Sequence, residues 1–261
     1  MSGTLAVPTD ATVNCSPQLP LCARCRDESL SLSVAAWRGA THSNDDPVVR
    51  TDTERAKALL RARIREQRGR RLADSGAAGA KEVAAGLLRA FRAGALDGGS
   101  VAAYFAMPGE PDPAPVCAAV RDAGQQVLLP VPLPGRELAW ALDDGRRGIA
   151  AAPVRVPVPL GEQVGVGAAA LRAHDVKVLL IPALAVDAAG RRLGQGGGYY
   201  DRLLEELAHE DVRVGGVLVV AVVHDDEVLE AGAIPVEPHD RSVHAALTPS
   251  GLRILGAAAT G

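Results

Sequence analysis

Residues 192–202 bring together groups that could hold a phosphate and the cation bound to it. They read Arg-Leu-Gly-Gln-Gly-Gly-Gly-Tyr-Tyr-Asp-Arg, so four glycines fall within five positions and Asp201 follows two tyrosines. Glycine lets backbone N–H groups approach a ligand closely, and the N-terminus of a following helix favours negative charge. An acidic side chain in the first turn of that helix could hold a cation against the anion. The stretch therefore predicts a nucleotide-phosphate or magnesium-phosphate site.

Neither of the commonest phosphate-loop patterns describes this stretch. It lacks the G-x-x-x-x-G-K-[ST] ending, and Tyr199 stands where the dinucleotide pattern G-x-G-x-x-G has its third glycine. A separate G-x-G-x-x-A match at residues 165–170 follows prolines instead of a predicted strand, which argues against a dinucleotide site there. The bland alternative for 192–202 is a flexible turn. Two of the chain's three tyrosines and an acid beside the glycines favour a site.

Hydrophobic periodicity places the glycine-rich stretch among alternating helices and strands. Strands without polar alternation, separated by helices, predict an α/β fold with three layers, α/β/α, around a mostly parallel, Rossmann-like sheet. Residues 143–168 are predicted to be a long connection, and residues 234–248 a turn-rich tail with one short strand. Helices are predicted over residues 53–64 with Thr53 as N-cap, 80–91, 113–123 and 199–208, and strands over 101–105, 126–131, 137–142, 176–182 and 217–223.

Composition narrows the class of protein. With 48% hydrophobic residues and a net charge of −3, the chain has no bulk attraction to nucleic acid or to an anionic membrane. Its longest apolar run, residues 217–223, is far too short to span a bilayer, and no basic-then-apolar leader begins the chain. We therefore expect a cytoplasmic protein. Cys22 and Cys25 have no second pair to complete a zinc site, and the six histidines show no metal spacing, so none receives a role.

The stretch from Arg192 to Asp201 closely resembles the signature of the 5-formyltetrahydrofolate cyclo-ligases, also called methenyltetrahydrofolate synthetases. The match extends over about residues 53–250. Four further segments resemble that family's motifs in the same order: the K-x-x-x-R of residues 57–61, the strand and loop of 104–112, the strand of 180–187, and the P-x-E-x-H-D of 235–240.

The resemblance implies an ATP- and Mg-dependent closure of 5-formyltetrahydrofolate to 5,10-methenyltetrahydrofolate, with release of ADP and phosphate. Phosphorylation turns the formyl oxygen into a good leaving group, after which the neighbouring N10 amine can attack the carbon. Phosphoryl transfer depends mainly on positioning and charge neutralisation, so no protein nucleophile is needed. The implied partners are these small molecules only, without nucleic acid or membrane, and the implied state is a monomer.

The resemblance also assigns residues to the two substrates and the metal. Lys57 and Arg192 would stabilise transition-state charge, and Lys57 and Arg61 share one helical face. Without the family, a solvated basic face beside Arg63 and Arg65 would be the simpler reading. ATP would contact Lys57, Arg61, Arg192, Leu193, Gly194, Gln195, Gly196, Gly197, Gly198, Tyr199 and Tyr200; the folate would contact Phe105, Glu110, Gln195, Gly197 and Tyr199; Mg²⁺ would bind Asp201 and Asp240.

Several alternatives stay open at this point. The family's G-[IL]-x-E-P segment stands here as Gly-Ile-Ala-Ala-Ala-Pro at residues 148–153, without the glutamate, and Gln195 and Gly197 occupy variable loop positions. A non-catalytic nucleotide- or folate-binding protein on the same fold is therefore the main alternative. A relative of sugar-phosphate isomerases or CoA-transferases is another, because fold alone does not decide function. The Tyr-Tyr-Asp after the glycines favours the cyclo-ligases.

Residues 1–50 differ from the remainder of the chain. They hold scattered proline, serine, threonine and cysteine without a sustained apolar period, and we predict a disordered extension. Val48 or Val49 could be the true start, because bacterial initiation can use valine codons. Residues 51–261 are then predicted to form the single catalytic domain.

Overall fold

The computed structural model describes residues 51–94, 96, 98–149, 156–208 and 216–256. All of them lie in one structural unit, Val48–Gly261. The predicted extension, residues 1–50, lies outside the described residues, and so does most of the 148–153 segment. The boundary at residue 51 stays a prediction. Within the described ranges, no helix has both the length and the apolar character that crossing a bilayer requires.

Thirteen strands and four α-helices make up the described part of the chain. The helices are α1 (Asp52–Ala93), α2 (Ala114–Asp122), α3 (Gly167–Ala173) and α4 (Tyr199–Leu207). The strands are β1 (Ser100–Ala102), β2 (Val127–Pro132), β3 (Leu138–Leu142), β4 (Arg147–Ile149), β5 (Pro157–Pro159), β6 (Gln163–Val166), β7 (Val176–Pro182), β8 (Ala185–Asp187), β9 (Arg192–Leu193), β10 (Leu218–Val222), β11 (Val228–Leu229), β12 (Ala245–Thr248) and β13 (Gly251–Ile254).

Eight strands form the central sheet in the order β13-β12-β10-β7-β1-β2-β3-β6. The pairs from β12 through β2 are parallel, while β13, β3 and β6 join antiparallel at the two edges. The predicted mostly parallel α/β sheet is therefore confirmed. Because parallel strands end at the same edge, the loops after β1, β7 and β10 meet there, where open α/β sheets bind ligands. A small sheet, β11-β8-β9, continues from that edge.

Both faces of the sheet are covered, which explains the uninterrupted apolar strands. On β7, Val178 and Leu180 pack with α2 and the second half of α1, whereas Leu179 and Ile181 pack with α3 and α4. Successive side chains of a strand point to opposite faces, so a strand between two helical layers needs apolar residues at every position. The three predicted layers follow directly from this pattern.

Helix α1 begins two residues earlier than predicted and contains a break. Its N-cap is Thr51, whose hydroxyl accepts from the backbone N–H of Glu54 while the Glu54 carboxylate accepts from the N–H of Thr51. This reciprocal capping box satisfies two N–H groups, which the predicted cap at Thr53 would not do. At Gly76, φ is +55° and ψ is −152°, so two helical segments meet there. They correspond to the two helices predicted from the sequence.

Two local predictions need correction. Residues 143–168 are not a plain connection, because they carry the short strands β4, β5 and β6. The tail of residues 234–248 contains one short strand, β12, as predicted, and β13 follows it. The G-x-G-x-x-A match does follow a strand, β6, so the reason for rejecting it was wrong. Its helix α3 nevertheless begins against a carboxylate of the protein, since the N–H of Ala168 donates to Glu206 Oε2 over 2.8 Å.

Candidate active site

The first half of α1 presents a row of cationic side chains to the loop between β9 and α4. Lys57, Arg61, Arg65 and Arg68 follow at intervals of three or four residues, which places them on one helical face. Ile64, on the same face, is buried with Leu193 in an apolar cluster that fixes the helix against β9. Lys57 is buried and Arg61 is partly buried, so these two do not belong to a fully solvated basic face, whereas Arg63 and Arg65 are exposed.

Lys57 is bound by two carboxylates from the chain segment before β12. Its Nζ donates to Glu237 Oε2 over 2.7 Å and to Asp240 Oδ2 over 2.5 Å, and its side chain is only 4% exposed. Burial would raise the pKa of Asp240, but the hydrogen bonds from Lys57 and from the Glu237 N–H outweigh burial and lower it. The group is therefore an ion-paired triad of one buried ammonium and two partly exposed carboxylates at one end of the cationic row.

Arg61 and Arg65 contact the loop between β9 and α4, residues 194–198, which we call the glycine loop. Arg61 Nε donates to the carbonyl of Gly194 over 2.9 Å, and Arg65 Nη2 donates to the carbonyl and the side-chain oxygen of Gln195, both over 3.1 Å. Burial lowers the pKa of Arg61 although Asp240, Glu237 and Asp201 oppose that effect. Among the described residues, the terminal N–H₂ groups of Arg61 have no hydrogen-bond partner, so they are available to an anion.

The glycine loop feeds directly into α4. Gly198 is the N-cap in the left-handed region at φ +75°, and no side chain caps the helix. A Cβ at Gly198 would lie 3.2 Å from Nη1 of Arg136, so glycine also makes room for that guanidinium. Uncapped N–H groups, the helix dipole and nearby arginines together favour an anion at this place.

Arg192, just before the glycine loop, forms an ion pair with Asp201, just after it. Arg192 Nη2 donates to Asp201 Oδ1 over 2.5 Å, and the Arg192 side chain is 4% exposed while that of Asp201 is 31% exposed. The Nε of Arg192 is buried without a partner in the described part of the chain. Asp201 is thus engaged by a cation of the protein and keeps part of its carboxylate towards solvent.

Glu110 lies on the other side of the loop, at the end of the segment that follows β1. Its Oε2 accepts from the N–H of Met107 over 3.0 Å, and its Oε1 accepts from Nε2 of Gln195 over 2.9 Å. Phe105, nearby in sequence, has the guanidinium of Arg147 5.0 Å above its ring. Gln195 therefore joins the predicted folate side at Glu110 to the cationic row at Arg65.

The two tyrosines after the glycines pack against the core shared with α3 and α4. Burial, reinforced by the charge of Glu110, raises the pKa of Tyr200. Burial likewise raises the pKa of Tyr104, whose hydroxyl donates to the carbonyl of Pro111 over 2.5 Å. The hydroxyl groups of Tyr104 and Tyr200 are therefore neutral at physiological pH.

One group in the described ranges has the donor atoms for a metal ion. Carboxylates of Glu237 and Asp240 and the imidazole of His239 offer ligand atoms within 4.8 Å of one another. Lys57 takes one oxygen of each carboxylate, which leaves the second oxygens for a hard cation. Asp201, the other predicted ligand, is not in this group, because Arg192 binds it.

The structure brings most of the predicted site residues to one edge of the sheet. Arg61 contacts the loop at Gly194, and Glu110 contacts it at Gln195. Lys57, one turn before Arg61, binds Asp240. The roles of all these residues in binding stay predictions. Sequence reasoning assigned no role to Glu237, His239, Arg65, Arg68 and Glu227. The available signals were the recurrence of basic residues along one face of α1 and the acidic residues within 235–240.

Comparisons with known proteins identify the family and the fold. A sequence model of the 5-formyltetrahydrofolate cyclo-ligase family matches residues 53–249. The 5-formyltetrahydrofolate cyclo-ligase of Mycolicibacterium smegmatis is 34% identical over 207 residues, 75% of this chain and 94% of that protein. The enzyme of that name from Escherichia coli K12 is 30% identical over 153 residues, 58% of this chain and 78% of that protein. The solved 5,10-methenyltetrahydrofolate synthetase of Aquifex aeolicus is similar in fold, with a TM-score of 0.60 at 23% identity over 78% of this chain and 95% of that one.

Proposed function

The chain belongs to the 5-formyltetrahydrofolate cyclo-ligase family, and we propose that it closes 5-formyltetrahydrofolate to 5,10-methenyltetrahydrofolate with ATP and Mg²⁺, releasing ADP and phosphate. Family membership favours this activity over that of the sugar-phosphate isomerases and CoA-transferases. The observation that carries the proposal is the contact between the cationic face of α1 and the glycine loop, at Arg61 and Gly194.

The glycine loop and the arginines around it suit the triphosphate of ATP. Among the described residues, the two N–H₂ groups of Arg61 have no hydrogen-bond partner, and no side chain caps the first N–H groups of α4. Together they would hold the phosphates in line with the formyl oxygen and offset the charge that develops on transfer. Buried Arg192, with an unpartnered Nε, would add a fixed positive charge.

The donor set of Glu237, His239 and Asp240 fits Mg²⁺, because hard cations prefer carboxylate oxygens and retain water. When bound, Mg²⁺ would neutralise charge on the phosphate oxygens of ATP. Lys57 would keep the two carboxylates of this group together. Asp201, whose side chain is 31% exposed, would offer a further oxygen ligand from the first turn of α4.

Glu110 and Phe105 would contact the folate. A carboxylate accepts hydrogen bonds from the N–H groups of the pterin, and an aromatic ring packs against its face. The N10 amine would then attack the formyl carbon, whose oxygen carries the phosphoryl group. The C–O bond would break with phosphate as the leaving group, and N10 would lose its proton. This step lies within the substrate and requires orientation by the protein and exclusion of water. Gln195, which bonds Glu110 and Arg65, would link the folate and phosphate sides.

The direct test is turnover. Purified protein is incubated with 5-formyltetrahydrofolate, Mg²⁺ and ATP, and the near-ultraviolet absorbance of the methenyl product is followed. We expect product formation that requires both ATP and Mg²⁺. Absence of product at high enzyme concentration, with both ligands still bound by calorimetry, would instead establish the alternative, a non-catalytic nucleotide- and folate-binding protein.

A variant pair tests the metal and phosphate side. We expect Asp201→Asn to abolish turnover while circular dichroism shows a folded protein. Glu205→Gln, on the exposed face of the same helix, is the control and should behave as the unchanged enzyme. Unaltered turnover in Asp201→Asn would remove Asp201 from the site.

A further inference from the structure

Arg68 is a buried cation on the same face of α1, one turn beyond the residues that contact the glycine loop. Its side chain is 6% exposed. Nε and Nη2 each donate to one oxygen of Glu227 over 2.8 Å, and Nη2 also donates to the carbonyl of Ala183 over 2.6 Å. This bidentate salt bridge fixes the plane and direction of the guanidinium, because both N–H bonds must stay aligned with the carboxylate.

One nitrogen of Arg68 is not used by these bonds. Nη1 is buried and has no hydrogen-bond partner among the described residues. Its nearest recorded carboxylate oxygen is Oε1 of Glu110, at 3.9 Å. A buried N–H group without a partner is costly, and native proteins seldom keep one without a purpose. Since Glu227 fixes the rest of the guanidinium, Nη1 is held towards Glu110.

Glu110 is itself buried, with a side chain 5% exposed. Burial would lower the pKa of Arg68, but the hydrogen bond and charge of Glu227 and the charge of Glu110 outweigh burial and raise it. Glu110 also accepts from Gln195, which accepts from Arg65. A series of polar contacts therefore runs from Glu227 through Arg68 and Glu110 to the glycine loop, with hydrogen bonds at each step except the 3.9 Å ion pair between Arg68 and Glu110.

We propose that Arg68 is a positioning residue, which is braced by Glu227 and holds the Glu110 carboxylate where the folate meets it. This inference rests on the proposed function, because it takes Glu110 as the folate contact. Arg68 touches neither substrate and acts through Glu110. Its loss should therefore weaken folate binding selectively and leave the binding of ATP to Arg61 and the glycine loop unaltered.

Arg71 supplies a matched control for Arg68. It lies on the same helix and also reaches Glu227, with Nη1 at 3.4 Å, but its main partner is Asp226, at 2.6 and 2.8 Å. No contact with Glu110 is recorded for Arg71 within the described ranges. Removing Arg71 takes the same charge from the surroundings of Glu227 without disturbing the orientation of Glu110.

The experiment measures KM for both substrates in Arg68→Gln and Arg71→Gln. We expect Arg68→Gln to raise KM for 5-formyltetrahydrofolate about tenfold or more, the usual effect of a misplaced buried charge, with KM for ATP nearly unchanged. Arg71→Gln should leave both values near those of the unchanged enzyme. Equal rises in both KM values for Arg68→Gln, or none, would overturn the inference.

A double-variant cycle distinguishes positioning from general weakening of the fold. If Arg68 acts through Glu110, then adding Arg68→Gln to Glu110→Gln should change KM for the folate little further. Fully additive effects contradict the inference. Should Arg68→Gln not fold, the charge-balanced pair Arg68→Met with Glu227→Met replaces it, with the same expected split between the two KM values.

Failure of this inference differs from failure of the proposed function. If the unchanged enzyme neither binds nor cyclises 5-formyltetrahydrofolate, the proposed function is wrong, and the inference with it. If the unchanged enzyme is active and Arg68→Gln retains its KM for the folate, only the role of Arg68 is wrong.

Discussion

Lys57 connects two parts of the chain that are far apart in sequence. Its ammonium comes from the second turn of α1, and its acceptors lie 180 and 183 residues later, in the segment before β12. Two carboxylates that share one ammonium can stay close together, whereas without it their charges would repel each other. The close approach of the Glu237 and Asp240 carboxylates therefore depends on one side chain, that of Lys57.

We expect Lys57→Met to lower the free energy of unfolding by about 2 kcal/mol. This is below the ~3–5 kcal/mol typical for breaking a fully buried ion pair, because the two carboxylates are each 20% exposed. Urea denaturation followed by circular dichroism measures it. Lys81→Met, at an exposed position of the same helix, is the control and should have almost no effect. Equal stability of the two variants would show that the Lys57 contacts contribute nothing.

Asp240 makes the stability depend on acid pH. Its pKa is lowered in the folded protein, so the unfolded chain takes up the proton first as the pH falls. The contribution is complete above about pH 4 and disappears as the pH drops through the lowered value. We expect Asp240→Asn to lose stability less steeply than the unchanged protein below about pH 4, with equal slopes between about pH 6 and 8. Urea titrations across this range test it, and identical slopes below pH 4 would contradict it.

At the scale of elements, the two halves of α1 pack against different surfaces. The half before Gly76 carries the cationic row and packs Ile64 against β9, whereas the half after it packs Leu87 and Phe91 against the central sheet. A continuous straight helix has one fixed axis and could not serve both surfaces independently. The break at Gly76 lets each half take its own direction.

The backbone at Gly76 can be tested with a matched pair of substitutions. Its φ of +55° and ψ of −152° are nearly restricted to glycine, and an added Cβ would touch nothing within 4 Å, so Gly76→Ala meets backbone strain alone. We expect a loss of about 2 kcal/mol in the free energy of unfolding. Gly69→Ala, in regular helix with equally open space, should instead stabilise by up to about 1 kcal/mol. Thermal or urea unfolding of both variants decides, and a neutral Gly76→Ala would mean that the break relaxes into a continuous helix.

At the scale of the whole molecule, the site forms because parallel strands end together. The segments after β1, β7 and β10 carry Glu110, the glycine loop and Glu227, and α1 lies across them with its cationic row. None of these segments could form the site alone, since each contributes one or two side chains to contacts made by the others. This dependence explains why the polar contacts of the site are almost all long-range in sequence.

All described site residues fall between Lys57 and Asp240, so we expect residues 1–47 to be dispensable. A chain starting with Met in place of Val48 should keep the thermal stability and the cyclisation rate of the full chain. A shorter chain starting at Thr53 lacks Thr51 and its capping box, and should be less stable by about 1 kcal/mol. Thermal unfolding and the absorbance assay measure both. A loss of activity in the first of these chains would show that the extension takes part in function.

The sequence determined the type of fold and the centre of the site for local reasons. Uninterrupted apolar runs such as residues 176–182 predicted buried parallel strands, and the glycines before Tyr199 predicted a loop that enters a helix; both depend on neighbouring residues alone. The N-cap was predicted at Thr53, two residues after the observed cap at Thr51, because either threonine is a suitable N-cap by residue type. The short strands within residues 143–168 were missed because they exist only through pairing with distant partners.

The tertiary structure decided which charges meet. Nothing local indicates that Lys57 binds Glu237 and Asp240, that Arg192 binds Asp201, or that Arg68 is directed at Glu110. Ion pairs form between side chains brought together by strand order and helix packing, and a charged residue on a helix looks the same in sequence whether it faces water or a carboxylate. The chain thus determined locally where the glycine loop lies, and only its folding determined which side chains surround that loop.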